Sequence, residues 1–179
     1  RRMGRPKALV PADGVPMGNR AAAALEAGGV PSGAVVLVGG DPAWADALGL
    51  RWVPDRWPGW GPLGGIATAL LDAPGAAGAA AEAIVVVVAC DQPWLTGAAL
   101  ASLVDALRSS PEAGAAAARA PEGRRQPFPA AWRSTSGEAI GALVAAGERR
   151  ADAAYGVAPV VELAMSGREL ADVDRPGDL

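Results

Sequence analysis

The chain has 179 residues, 51% of them apolar, which is enough for one folded domain with its own core and too apolar for an intrinsically disordered chain. Its 16 Lys and Arg against 19 Asp and Glu give a net charge of −3, which does not fit the broad basic face of a general nucleic-acid binder. One cysteine, Cys90, and no histidine exclude an internal disulfide, a His-based triad and a His metal site, so any metal would be held by carboxylates, as Mg²⁺ is.

The first seven residues, RRMGRPK, place four cations on an otherwise acidic chain, a pattern that points to one local anionic ligand. Lys7 is the only lysine beside fifteen arginines. Its compact ammonium suits a phosphate oxygen in a tight site, and a solvated charge on a frayed end is the other reading. Arg1, Arg2 and Arg5 taken singly read as solvated surface. Gly14 to Asn19 predicts a turn into a helix over Arg20 to Ala27, closed by Gly28 and Gly29. Ala34 to Val38 reads as a strand, Pro42 to Leu48 as a short helix, and Arg51 to Val53 as a second strand.

The loop VPDRWPGWGPLGG follows, with Asp55 just past a strand end and Gly61, Gly64 and Gly65 leading into a helix over Gly64 to Leu71. Such glycines let a backbone approach a ligand at a helix N-terminus, and they also make plain turns. Pro74 to Ala83 reads as a surface linker. Ile84 to Ala89 is the strongest strand signal in the chain, apolar on both faces, and predicts a central parallel strand. Asp91 follows in ACDQPWL, and Pro93 stops the strand. A carboxylate on a rigid strand end can hold Mg²⁺ against a nucleotide's phosphates; strand-ending turns use Asp too.

Thr96 is placed to cap a helix reaching about Ser109. Gly114 to Ala118 and Val157 to Leu163 read as strands, and Gln126 to Trp132 as an extended, proline-broken piece. Ser136 to Ala146 and Arg149 to Tyr155 read as helical. Leu170 to Asp174 is a short extended piece before the turn RPGDL; Asp174 could complete a metal site or cap a final helix. Trp52, Trp57 and Trp60 crowd the Gly-rich loop and Trp94 follows Asp91, positions for stacking on a base or for covering a sheet edge. The alternation predicts one domain over residues 1–179, a three-layer α/β/α sandwich around a mostly parallel sheet, with ligands at the carboxyl ends of its strands. No segment is long and apolar enough to span a bilayer and no signal peptide is evident, so a cytoplasmic protein with no membrane or nucleic-acid partner is expected.

Five segments in this order resemble the molybdenum cofactor guanylyltransferases: RMGRPKALV, GVPM, GPLGG, ACDQPWL and VDRPGDL. RRQPFPAAWR also resembles that family's acceptor-facing segment. The resemblance implies a Rossmann-like nucleotidyltransferase fold whose first strand and Leu-Ala-Gly-Gly loop are not in this sequence. It further implies that the terminal phosphate of molybdopterin attacks the α-phosphorus of GTP and pyrophosphate leaves. By position, Lys7 neutralises the GTP phosphates, Arg2 and Gly4 shape the loop, and Asp91 holds Mg²⁺ with Asp174 as second ligand. Asp55 meets guanine or ribose, and Gly61, Leu63 and Gly64 line the nucleotide pocket. The expected partners are GTP and molybdopterin or its molybdenum form, with a molybdoenzyme or another cofactor-synthesis protein as recipient. A cytidylyl branch and a non-catalytic nucleotide-binding domain are the alternatives.

Overall fold

A computed structural model of the chain describes residues 6–76 and 82–178. A small hairpin pairs β1 (Pro11–Ala12) with β2 (Val15–Pro16) and leads directly into α1 (Met17–Ala27). Next, β3 (Val36–Val38), α2 (Pro42–Leu48) and β4 (Arg51–Val53) make a crossover unit whose two strands pair in parallel. Asp41 caps α2 by accepting a hydrogen bond from the Ala43 N–H, and Pro42 stands in the first turn where its missing donor costs nothing. The third helix, α3 (Gly61–Ala76), begins earlier and ends later than the spacing predicts, taking in Pro74 from the expected linker. Of the rest of that low-complexity stretch, residues 77–81 lie outside the described residues.

The second sheet has four strands in the order β5 (Ile84–Val87), β7 (Arg125–Arg133), β6 (Ala115–Arg119), β8 (Val160–Ala164). Helices α4 (Gly97–Arg108) and α5 (Gly137–Ala145) complete the set. The expectation of a mostly parallel sheet is corrected here. β7 runs antiparallel to both β5 and β6, and only β6 and β8 pair in parallel. The reason is the connection over 120–124, where Ala120 exchanges hydrogen bonds with Gly123 and Arg124 around a positive φ at Gly123. A turn that short can only return the chain antiparallel. Pro127 and Pro129 are tolerated inside β7 because they fall where the register with β6 shifts, between the pairs Arg119–Arg125 and Ala117–Ala130. The predicted helix over Arg149 to Tyr155 is a 3-10 turn over Ala151–Gly156.

Both faces of this sheet are covered, which gives the three layers. On one face α1 and α4 pack through Leu25, Leu100, Leu103 and Leu107 onto Ala116, Ala118 and Ala131. On the other, α3 and α5 pack through Leu63, Ile66, Leu70, Ile140 and Val144 onto Ala115, Ala117 and Trp132. The first four residues of β6 are alanines buried completely on both sides, and their small side chains let both helical layers sit close. Where α1 ends against α4, a Cβ on Gly97 would lie 2.5 Å from the Ala27 carbonyl carbon, so that contact admits glycine alone.

The strand expected at the centre of the sheet is also corrected. Among the described residues β5 pairs only with β7 and β3 only with β4. All four residues of β5 are half-buried, because its other edge opens on an apolar cavity of about 860 Å³. Val36 to Val38 line the far side of that cavity, with Leu25 and Leu50 beside them. No helix among the described residues is long and apolar enough to cross a membrane.

Candidate functional site

Three distant parts of the chain meet at the carboxyl end of β5. Asp91 sits just past that strand, in a loop that Arg20 pins from α1 by donating Nε–H to the Pro93 carbonyl (2.9 Å). Lys7 lies in a 3-10 turn over Lys7–Leu9. Its Nζ donates to Asp91 Oδ2 at 2.7 Å and to Asp174 Oδ1 at 2.5 Å, joining positions 84 and 167 residues away. Asp174 is held in turn: the Val173 N–H donates to the Asp91 carbonyl (2.8 Å), and the Asp178 carboxylate receives the N–H groups of Asp174 and Arg175. Below this clasp Val173 is fully buried with Val10, Ala12 and Met17, and Trp94 packs against them. The meeting is therefore built on a small core of its own.

The electrostatics follow from this packing. Burial alone would lower the Lys7 pKa, but hydrogen bonds to Asp174 and Asp91 outweigh it and raise the ammonium well above its ordinary value. Asp172 is a third carboxylate in the same field, raised by burial and by the charge of Asp91, and lowered again by a hydrogen bond from Gln92. Sequence reasoning missed it. The signal was present in DVD, since in an extended segment a buried Val173 turns both flanking acids to the opposite side. Gln92 itself is buried, its Nε2 reaching toward the Phe128 and Leu170 carbonyls at 3.4 and 3.5 Å. Burial, then the Asp91 charge, push the neighbouring Cys90 thiol up to about 11, which leaves it unreactive near neutrality.

Asp55 has a different role from Asp91. Its Oδ1 accepts from the Trp57 N–H (2.9 Å) and from Thr68 Oγ1–H (3.1 Å) on α3. Arg56 adds a two-pronged pair with Asp72 on the same helix (2.7 and 2.5 Å). These bonds fold the Gly-rich loop onto α3, beside a smaller recess of about 500 Å³ that is separate from the main cavity. Gly39, with φ +72, passes so close that a Cβ there would lie 3.3 Å from that of Asp55. Gly61 has φ +71 at the first position of α3, and a Cβ on Gly64 would meet Trp57 and Trp60 at 3.3 Å. Leu63 is wholly buried and Gly64 is buried beside it, so at the start of α3 the reachable surface is that of Gly61, Pro62 and Gly65. The same helix start reaches the main cavity through Pro62 and Gly65, and Cys90 and Asp91 line that cavity too. Arg2 and Gly4 lie outside the described residues.

Trp57 and Trp60 cover the core between α3 and α5, with Arg149 stacked over Trp60 at 4.5 Å. Trp52 is the exposed one, its indole N–H bonded to the Gly39 carbonyl.

Among the described residues no three Asp, Glu or Cys side chains converge closely enough to cage a metal. Asp91 and Asp174 nonetheless close on one small cation, the Lys7 ammonium, with hard oxygen donors. Two carboxylates with the remaining positions open to phosphate oxygens and water are the donor set Mg²⁺ takes in nucleotide sites, so the residues fit such an ion.

Comparison with known proteins finds relatives along the whole chain. The model of the MobA-like NTP transferase domain matches residues 1–159. A molybdenum cofactor guanylyltransferase from Rhodobacter capsulatus is 38% identical over 182 residues, spanning 100% of this chain and 87% of that protein. Among solved structures, molybdopterin-guanine dinucleotide biosynthesis protein A from Archaeoglobus fulgidus superposes with a TM-score of 0.74 at 18% identity, over 99% of this chain and 89% of that one. A Mycobacterium tuberculosis protein solved in complex with manganese superposes with a TM-score of 0.64 at 20% identity, over 99% and 90%. At those identities the two structures establish the fold alone; the family model and the Rhodobacter protein establish kinship, and the chain belongs to the MobA-like NTP transferase domain family.

Proposed function

We propose that this protein transfers GMP from GTP to the terminal phosphate of molybdopterin, in the cytoplasm, with Mg²⁺ as its metal. The observation that carries the reading is the meeting of Lys7, Asp91 and Asp174 at the carboxyl end of β5, with Asp91 lining the same cavity as Pro62 and Gly65 at the start of α3. The 38% identity to a guanylyltransferase along the whole chain supports the choice of nucleotide and acceptor. An acceptor phosphate oxygen bonds to the α-phosphorus of GTP, the bond from that phosphorus to the β-phosphate's bridging oxygen breaks, and pyrophosphate leaves with the electron pair. Two anions must be brought into line, so neutralisation and positioning supply most of the acceleration.

Lys7 neutralises triphosphate oxygens. Asp91 and Asp174 hold the Mg²⁺, which offsets charge on the phosphates when bound. Gly61 offers backbone at the start of α3 to the nucleotide, with Leu63 and Gly64 buried beneath it to shape that wall, and Asp55 keeps the loop in position through Trp57 and Thr68 on the ribose or base side. The shape of the sheet fits one further piece. An extended strand set between the open edges of β3 and β5 would join the two sheets into one; at strand spacing and rise the cavity has room for about five such residues.

The test is pyrophosphate release with Mg²⁺, molybdopterin and each of GTP, CTP, ATP and UTP. Turnover with GTP alone, abolished in Asp91→Asn with the fold intact, is expected. Preference for CTP would move the chain to the cytidylyl branch, and nucleotide binding without turnover would make it a non-catalytic binding domain.

A further inference from the structure

Lys7 and a metal ion have claims on the same place. Its Nζ lies 2.7 Å from one carboxylate oxygen and 2.5 Å from another, one from each of the two acids proposed as metal ligands. A divalent ion bound by those oxygens would sit about 2.0–2.1 Å from each, inside the volume the ammonium fills. The two cations cannot share it. The exchange is one of like for like: the ammonium already lies between two carboxylate oxygens, one from each acid. Lys7 keeps about a third of its side chain exposed, so it has room to leave. The residue type fits as well. In a chain that otherwise uses arginine, this single position has the one cationic side chain whose head is a compact point charge rather than a planar fork.

We propose that the Lys7 ammonium stands in for the metal between Asp91 and Asp174 in the free protein, and gives up that place to the metal as it moves to the triphosphate. The idea rests on the reading of Asp91 and Asp174 as metal ligands given above. Its consequence is that metal and nucleotide bind cooperatively: the metal alone must evict the lysine from both of its acid partners, whereas the triphosphate offers that lysine an anion of its own.

Two measurements test this without turnover. Mn²⁺ affinity is titrated by electron paramagnetic resonance in nucleotide-free protein, for the unmodified chain, Lys7→Met, Asp91→Asn and the double variant. Lys7→Met is expected to bind Mn²⁺ at least tenfold more tightly than the unmodified chain, and both variants carrying Asp91→Asn to lose that binding. Equal or weaker binding in Lys7→Met, with Asp91→Asn still defective, would overturn the exchange and leave the metal-ligand reading intact. Unchanged Mn²⁺ affinity in Asp91→Asn would instead overturn that reading. Because Lys7 is the only lysine, ¹³C-lysine labelling gives one side-chain set by NMR, and this serves if Lys7→Met does not fold. The Lys7 Cε resonance of the unmodified chain should move as Mg²⁺ saturates the site, and move at lower Mg²⁺ when GTP is present. A resonance that stays in place through saturation by Mg²⁺ and GTP would overturn the proposal.

Discussion

Asp91 and Asp55 occupy equivalent places in their own units, each just past the carboxyl end of a strand and ahead of a helix, and they have opposite fates. The partners of Asp55 are Trp57 and Thr68, 2 and 13 residues away, and its bonds settle a loop onto its own helix. The partner of Asp91 is a cation 84 residues away, which a second acid, 167 residues from that cation, also grips. A strand-end carboxylate satisfied by nearby N–H and O–H donors is structural. One paired with a distant cation that a second acid shares can exchange that cation, and the metal–nucleotide site proposed above needs such a carboxylate.

The variants that sharpen this contrast fall in order of effect. Asp91→Asn should cut turnover by about 10³-fold, the scale of losing a principal charge-stabilising group, and shift the melting temperature little. Asp174→Asn should cost about 10²-fold in the same assay, since Asp91 remains to hold the ion. Asp55→Ala should show the reverse balance. Losing two local hydrogen bonds there should cost about 1–2 kcal/mol in a denaturant melt, with a raised KM for GTP and kcat within about threefold of the unmodified chain. If Asp55→Ala lowered kcat as far as Asp91→Asn does, the division between the two acids would be wrong. The smallest effect is a pH dependence. Cys90 titrates near its ordinary value of 9.0 when unfolded and near 11 when folded. The folded state therefore retains the proton that the unfolded state releases, and stability should fall by about 2 kcal/mol as pH rises from 9 to 11. Cys90→Ala should remove that slope from melts taken across the range.

Much of the local structure was legible in the residues. Asp41 with Pro42 and Thr96 mark the starts of α2 and α4 because capping is a matter of one side chain and a nearby N–H. Lys7, Asp91 and Asp174 could be picked out by residue type and place. Their convergence could not, because it depends on a clasp through Val173 and a small core under Met17, contacts with no local signature. Sheet order was the least readable feature. The Ile-Val-Val-Val of β5 is more hydrophobic than the four alanines of β6, yet those alanines are fully buried and β5 is half-exposed. Burial there follows from having neighbours on both edges and both faces, which residue type does not encode. Asp172 was overlooked because one acid beside another in a short extended piece reads as solvated surface until its flanking valine is seen to be buried.

The clasp between Val173 and Asp91 also bears on how the protein comes into being. Synthesis on the ribosome runs from the amino end, so Lys7 and Asp91 emerge long before Asp174. Until those late residues clear the exit tunnel, a nascent chain can form its hairpin and first helices but has only one of the two acids proposed to grip the ion. Ion capture would thus be among the last steps of maturation, and a ribosome stalled short of residue 174 should carry a chain that is already partly folded and still without a working site.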